Sequence, residues 1–576
     1  MKEHFLQGRN NKIIKILFIF FIFILVFIFR LVYLQVKNNN KFTNLGKKNF
    51  LRTRIIPPLR GNIVDCNGYL LASNKPVYNL YWIGYGDRRI TKDQKDTLKK
   101  LESILKINLI DDKIGTIRFA NIYSKKVLLK KDLNFNQLCL ISEQCSASCN
   151  IKIQSDFLRI YPYKKLASHI LGYLSKKIED YTTKGLSGLE KMFQEQLKGQ
   201  TGYALNVINS KGSKIDQLEF CQPKKGSDLK LTIDLNLQYI AENIFEKGQA
   251  GAFILMDPKD GSIRSLVSFP GFDPNALLRP ISKEEWENKF VCNNVFLNRI
   301  TSAVYPPASI FKLITFAAGL EEKVIEADTQ FMCKGFLNFH GRRYHCIRHW
   351  GHGKLDSKVA LAYSCNIPCL EIAQELKINE LADYAYRFGL GKKTGFLLPE
   401  KSGLVPTYEW KVATKGQRWW KGETLSVAIG QSYTLVTPLQ MVRMIASICS
   451  GYLVKPRILQ QEEIKTSDLQ ISEKTLKFLR NAMHGVVKQG SAKILSRIEG
   501  FEVFAKTGTA QTSSLTVEKK SKRHLEHAWL AAYFKYKQED PLALVVLVEH
   551  VGSSKPAREI AYKFLRNYKN FREYTA

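Results

Sequence analysis

Acid is scarce in this chain: 52 Asp and Glu stand against 87 Lys and Arg, a formal net charge of +35 over 576 residues. The basic surplus is scattered rather than gathered into blocks, which disfavours a nucleic-acid-binding arm. It suits an ectodomain near an anionic membrane or wall polymer, and equally a plain lysine-rich bias. Internal repeats and long low-complexity linkers are missing, so solenoids and disordered spacers are excluded. Long apolar runs are missing except for one, over 13–34, interrupted only by Lys15 and Arg30. That run is long enough to span a bilayer. With no second run, the expectation is one crossing and the bulk on one side. A small-residue cleavage site is also missing, since the exit reads Arg30-Leu31-Val32-Tyr33-Leu34-Gln35. The run is therefore read as an uncleaved anchor rather than a signal peptide. Lys2, Arg9, Lys12 and Lys15 favour a cytoplasmic N-terminus, although Lys37, Lys41, Lys47 and Lys48 weaken the asymmetry.

What is present is globular in composition and long enough for about three or four domains. Asn67-Gly68 between two apolar runs is a hairpin signal. Mixed, Lys-rich helical sequence follows over 90–150. A short helix is expected from Gly188 to about Gln196, and a strand pair over 201–215. A strand over 229–234 leads into a helix over 235–245. From Gly251 the pattern becomes a strand hairpin over 251–268, a helical middle over about 310–450, strands near 501–506, 528–534 and 542–549, and a final helix over 557–567. Strands that neighbour one another in sequence favour an antiparallel sheet.

Three short motifs carry chemistry. Tyr305-Pro306-Pro307-Ala308-Ser309-Ile310-Phe311-Lys312 reads S-x-x-K at the start of an apolar helical run. Two prolines can introduce a helix but not sit inside it. Ser309 then falls on the first turn, with Lys312 on the same face. A serine hydroxyl is a weak nucleophile until a base takes its proton, and a lysine of lowered pKa can be that base. Ser364-Cys365-Asn366 gives S-x-N, and Lys506-Thr507-Gly508 gives K-T-G on a strand. Ser364 can relay a proton, and Asn366 can bind a substrate amide. Lys506 adds positive field that depresses Lys312 and attracts a carboxylate. Thr507 and Thr509 offer it hydroxyls, and Gly508 permits close approach. The amides of Ser309 and Thr509 are the expected oxyanion donors. One such motif is weak evidence; three in this order on helix, loop and strand are strong.

These motifs identify the chain as resembling the class B penicillin-binding proteins, most like the penicillin-binding protein 2 branch, over nearly its whole length. Arg60-Gly61 to Asp65, Ser187-Gly188-Leu189-Glu190, Gly199-Gln200-Thr201-Gly202, Ile429-Gly430-Gln431-Ser432-Tyr433 and Thr437-Pro438-Leu439-Gln440 fit the same family. The resemblance implies a tail over 1–12, a transmembrane helix over 13–35, an α+β pedestal over 36–228 and a transpeptidase domain over 229–576. That last domain would be α/β and serine β-lactamase-like, an antiparallel sheet with helices on both faces. It implies D,D-transpeptidation of peptidoglycan stem peptides through a Ser309 acyl-enzyme during rod-shaped growth, inhibition by β-lactams and a carboxypeptidase side activity. It further implies an inner-membrane location with a periplasmic bulk. The implied partners are a SEDS-family glycosyltransferase and other elongation-complex membrane proteins, with no nucleic acid. Ala308 stands where the family often has Gly. Pro-Ala-Ser-x-Phe-Lys is also similar to class D β-lactamases and β-lactam sensors. A sensor, a β-lactamase and a non-catalytic scaffold are therefore the competing readings.

Cys333, Cys346, His352 and Cys365 lie between the first two catalytic motifs. Three thiolates and an imidazole are a structural zinc set, though the spacing is wider than a zinc finger's. Buried or disulfide-paired cysteines are the other reading, with Cys369 one helical turn after Cys365 as a partner. His340, His345 and His349 are nearby competitors. Some family members bind zinc at matching places, so the resemblance implies a zinc that braces the loop carrying Ser364 and Asn366.

Overall fold

The computed structural model describes residues 2–145, 150–176, 183–209, 214–279, 281–292, 294–512 and 524–575. Among them one helix is long and apolar enough to cross a membrane, Ile13–Lys37, with mean hydropathy 3.0. It runs as α-helix Lys2–Val32 into a π-helical turn, Tyr33–Lys37.

The chain divides into two compact units, the first comprising Met1–Leu59, Lys75–Leu158 and Gly199–Lys225. Helices Lys92–Leu105, Leu109–Ile122 and Phe135–Gln144 bury Leu98, Leu101, Ile117 and Ile141 together with Leu80 and Trp82. Two of them begin at capping boxes, Thr91 with Gln94 and Asn134 with Gln137. Each box satisfies amide donors that a helix start leaves without partners. Strands Leu51–Ile56, Gly202–Ile208 and Lys214–Cys221 form a separate antiparallel sheet. The expected strand pair over 201–215 is present, with its second member starting at Lys214.

The second unit comprises Arg60–Asn74, Arg159–Lys198 and Gly226–Ala576. Ile63 pairs with Ala72 across the Asn67-Gly68 hairpin, where Gly68 has φ +95°. Glu190 is fully buried and receives two guanidinium groups, Arg60 Nε at 2.6 Å and Arg159 Nε at 2.8 Å. The Tyr161 hydroxyl donates to the same carboxylate at 3.1 Å. Such a cluster is stable only with its charges mutually paired.

Five antiparallel strands form the main sheet, in the order Ile263–Phe269, Gly251–Met256, Leu542–Val548, His527–Tyr536, Phe501–Ala510. Successive strand residues point to opposite faces. Leu542, Leu544, Val546 and Val548 therefore enter one core, with helices Leu235–Asn243 and Lys555–Thr575. Ala543, Val545 and Leu547 enter the other, with helices Lys312–Glu321, Pro438–Ser450 and Glu473–Lys488. Runs apolar at every position are what a sheet buried on both faces requires. The helical middle expected over 310–450 is interrupted by two small ribbons, Gln330–Cys333 with Gly353–Asp356 and Phe336–Phe339 with Arg342–His345. Phe336, Phe339 and Tyr344, with His340 and Gly341 in left-handed conformations at the turn, favour that local pairing over a helix.

Candidate active site

Ser309 lies on a 3-10 turn, Ala308–Ile310, directly before helix Lys312–Glu321. The expected first α-turn is thus a tighter one. Lys312 follows three residues later as the first residue of that helix. Ala308 holds φ +51°, a left-handed conformation that disfavours any side chain. Its N–H donates to the Gly430 carbonyl at 3.0 Å, and its carbonyl accepts from Phe311 N at 2.9 Å. Gly430 sits so close that a Cβ there would lie 2.0 Å from the Ala308 oxygen. Gly508 faces the Ala308 methyl, and a Cβ at Gly508 would meet it at 3.3 Å. Gly430 lets its own loop close on the nucleophile turn, and Gly508 lets the K-T-G strand do the same.

Four of the expected residues share one hydrogen-bonded group. Lys312 Nζ donates to Ser364 O at 2.6 Å, Asn366 Oδ1 at 2.7 Å and Ser364 Oγ at 3.3 Å. Lys506 Nζ donates to Ser364 Oγ at 2.8 Å. Both lysines are fully buried. Among the described residues neither has a carboxylate partner. Burial pushes both ammonium groups below the usual lysine range, and the charge of Lys312 lowers Lys506 further. Ser364, buried and at φ +56°, is a second strained position in the group. Its Oγ accepts from two lysines, so its own proton is directed elsewhere.

The Asn366 amide is used at both ends: Oδ1 faces Lys312, and Nδ2 donates to the His345 carbonyl at 2.8 Å. Thr507 is 5% exposed, whereas Thr509 is exposed. Both lie on Phe501–Ala510, the edge strand of the sheet, beside Gly508. An edge strand can pair with an extended peptide. The His345 carbonyl under Asn366, Ser491 beside Thr507 and Arg558 beside Ser491 carry no motif in the sequence. Their contacts join segments far apart in the chain, and no local pattern announces them.

Cys333, Cys346, His352 and Cys365 converge, with all four ligand atoms within 4.8 Å of one another. Cys346 Sγ lies 3.7 Å from Cys365 Sγ and 3.4 Å from His352 Nδ1, and Cys333 Sγ lies 3.5 Å from His352 Nδ1. A tetrahedral zinc with Zn–S of about 2.3 Å and Zn–N of about 2.0 Å sets S···S near roughly 3.8 Å and S···N near roughly 3.5 Å. The donor set therefore fits that ion. The Cys346 and Cys365 thiols share one hydrogen bond, which lowers the Cys346 thiol and raises that of Cys365. His340, His345 and His349 are not part of the group. Cys369 is a free, fully buried thiol, raised to about 12 by burial, so the disulfide reading for Cys365 is not realised.

Residues 251–566, more than half the chain, match the family model of the penicillin binding protein transpeptidase domain, and 55–231 match the penicillin-binding protein dimerisation domain. The peptidoglycan D,D-transpeptidase MrdA of Escherichia coli (strain K12) is 29% identical, over 92% of this chain and 89% of that protein. Penicillin-binding protein PBP2 from Helicobacter pylori, in its complex with MreC, superposes with a TM-score of 0.76 at 27% identity, covering 91% of this chain and 99% of that one. A chain of a peptidoglycan synthase complex, in which polymerization and crosslinking are coordinated, superposes at 0.73 with 26% identity, covering 96% and 97%.

Proposed function

Because the chain belongs to the penicillin-binding protein transpeptidase family, we propose that it cross-links peptidoglycan as a serine D,D-transpeptidase of cell-wall elongation. The observation that carries the chemistry is Ser364 Oγ accepting from both Lys312 and Lys506, which joins all three motifs at one hydroxyl.

In this reading the Ser309 oxygen attacks the carbonyl of the penultimate D-Ala of a stem peptide. Its proton goes to Lys312, whose buried side chain favours the neutral amine. The oxyanion is held by the amides of Ser309 and Thr509. Ser364 passes a proton to the departing D-Ala amine and is replenished along its contacts with Lys312 and Lys506. The peptide bond breaks, an ester to Ser309 forms, and free D-Ala leaves. An amine of a second stem then attacks the ester, releasing Ser309 and forming the cross-link. Water in its place gives the carboxypeptidase side reaction. Asn366 holds Lys312 in place through Oδ1, and Thr507, Gly508 and Thr509 receive the substrate's terminal carboxylate.

The Cys333, Cys346, His352 and Cys365 set would hold a zinc ion as a brace, not a reactant. Cys365 lies between Ser364 and Asn366, and the His345 carbonyl that receives the Asn366 amide immediately precedes Cys346, so both ends of the brace reach the catalytic loop. The apolar helix supports a single-pass anchor; in this reading the N-terminus is cytoplasmic, the membrane the inner one and the bulk periplasmic. The resemblance to chains from a complex with MreC and from a synthase complex supports elongation-complex partners; in this reading a SEDS-type glycosyltransferase is one of them, 36–228 is the pedestal and 229–576 the catalytic body.

A fluorescent penicillin should label the detergent-solubilised full-length protein at Ser309 and turn over slowly. Label that survives in Ser309→Ala would defeat the assignment, and rapid hydrolysis would favour a β-lactamase. Zinc at less than one equivalent per chain in purified protein would reject the brace.

A further inference from the structure

Thr507 Oγ1 lies 2.5 Å from Ser491 Oγ. Among the described residues neither oxygen has a second hydrogen-bond partner. A single proton spans the two oxygens, so one O–H of the pair is left uncommitted. Ser491 lies on the turn between helix Glu473–Lys488 and the 3-10 segment Lys493–Arg497. Backbone bonds fix that turn, with Gly490 N donating to Gly485 O at 3.2 Å and Ala492 N to Val486 O at 3.1 Å. Arg558 Nη1 donates to the Ser491 carbonyl at 2.5 Å, and the guanidinium is bonded only to backbone oxygens among the described residues. Lys506 immediately precedes Thr507. An uncommitted hydroxyl donor whose serine is held by the Arg558 guanidinium suits an anionic acceptor, and hydrogen bonds to such an acceptor are the stronger kind.

We propose that Ser491, held by Arg558, is a positioning residue: it orients the Thr507 hydroxyl and completes the seat of the donor peptide's terminal carboxylate. The inference rests on the transpeptidase reading and adds to it a residue outside the three motifs. Ser491 acts through Thr507, so its removal weakens recognition of the carboxylate and spares the acyl-transfer step.

The test compares a fluorescent penicillin bearing its free carboxylate with the methyl ester of the same compound. Acylation of Ser309 is followed in full-length wild type, Ser491→Ala and Ser491→Thr. Ser491→Ala should lose about tenfold in the second-order constant for the acid, the scale of one hydrogen bond to a charged group. The loss should lie in initial binding, with the limiting acylation rate retained. The ester should react as with wild type, and Ser491→Thr should restore the acid. Equal losses on both probes, or no loss on the acid, overturn the proposal. A wild type that takes no label at Ser309 overturns the transpeptidase reading itself, a result distinct from a labelled wild type whose Ser491→Ala variant keeps its preference for the acid.

Discussion

Two buried cationic clusters in the same compact unit are built on opposite principles. Around Glu190, two arginines close on one carboxylate, and Tyr161 adds a third donor. Around Ser364, two lysines close on a hydroxyl, an amide oxygen and a backbone carbonyl, with no carboxylate among their partners in the described residues. The first arrangement neutralises charge and holds Arg60, Gly61 and Arg159 together, since Arg159 also donates to the Gly61 carbonyl at 2.7 Å. The second leaves charge uncompensated, so burial drives both lysines toward the neutral amine. A paired cation makes a scaffold, whereas an unpaired one makes a base. Choice of residue follows: guanidinium does not give up its proton, and ammonium does.

The largest effect that could break this comparison is on chemistry. Lys312→Met should reduce acylation by a fluorescent penicillin by about three orders of magnitude or more while leaving the thermal midpoint nearly unchanged. Glu190→Gln should do the reverse. Removing one partner of a buried ion pair costs about 3–5 kcal/mol, so its chemical-denaturation midpoint should drop while protein still folded retains the wild-type acylation constant. If both variants lose activity and stability together, the two clusters are not functionally separate.

A third buried group sharpens the contrast with the sign reversed. Glu242 accepts from Ala167 N and Gln238 Nε2, and burial raises it from 4.5 to about 7 against the opposing charge of Lys165. A carboxyl raised in the folded state binds more protons folded than unfolded, so its stabilisation is complete below pH 4.5 and is lost as pH rises to about 7. The melting temperature should fall across that window, and Glu242→Gln should flatten the fall. The smallest effect concerns strain rather than charge. Ala308→Gly relieves a left-handed φ worth about 1 kcal/mol but adds unfolded-chain entropy of about 0.5–1 kcal/mol. Its melting temperature and acylation rate should match wild type closely. A large loss of acylation would mean that the Ala308 methyl against Gly508 sets the nucleophile's position.

Much of this was legible in the chain because its signals are local. Continuous apolar runs at 251–256, 528–534 and 542–548 mark strands buried on both faces, and Asn67-Gly68 marks a turn. S-x-x-K, S-x-N and K-T-G mark the catalytic elements because each packs its chemistry into a few consecutive residues. The Cys and His set was visible as residue types, although its convergence depends on two ribbons that interrupt an apparently helical region. What stayed hidden depends on long-range contact. Nothing near Ser491 points to Thr507, nothing near His345 points to the Asn366 amide, and the tight turn at Ser309 follows from Gly430 pressing on Ala308.

The most direct measurement is the pH dependence of the Ser309 acylation rate in wild type and Glu190→Gln. The rate should rise with pH through an apparent pKa below the ordinary lysine value of about 10.4 and be unmoved by Glu190→Gln. A rate that stays low until the ordinary lysine range would contradict this, because Lys312 would then be as charged as a solvated lysine and unable to serve as the base.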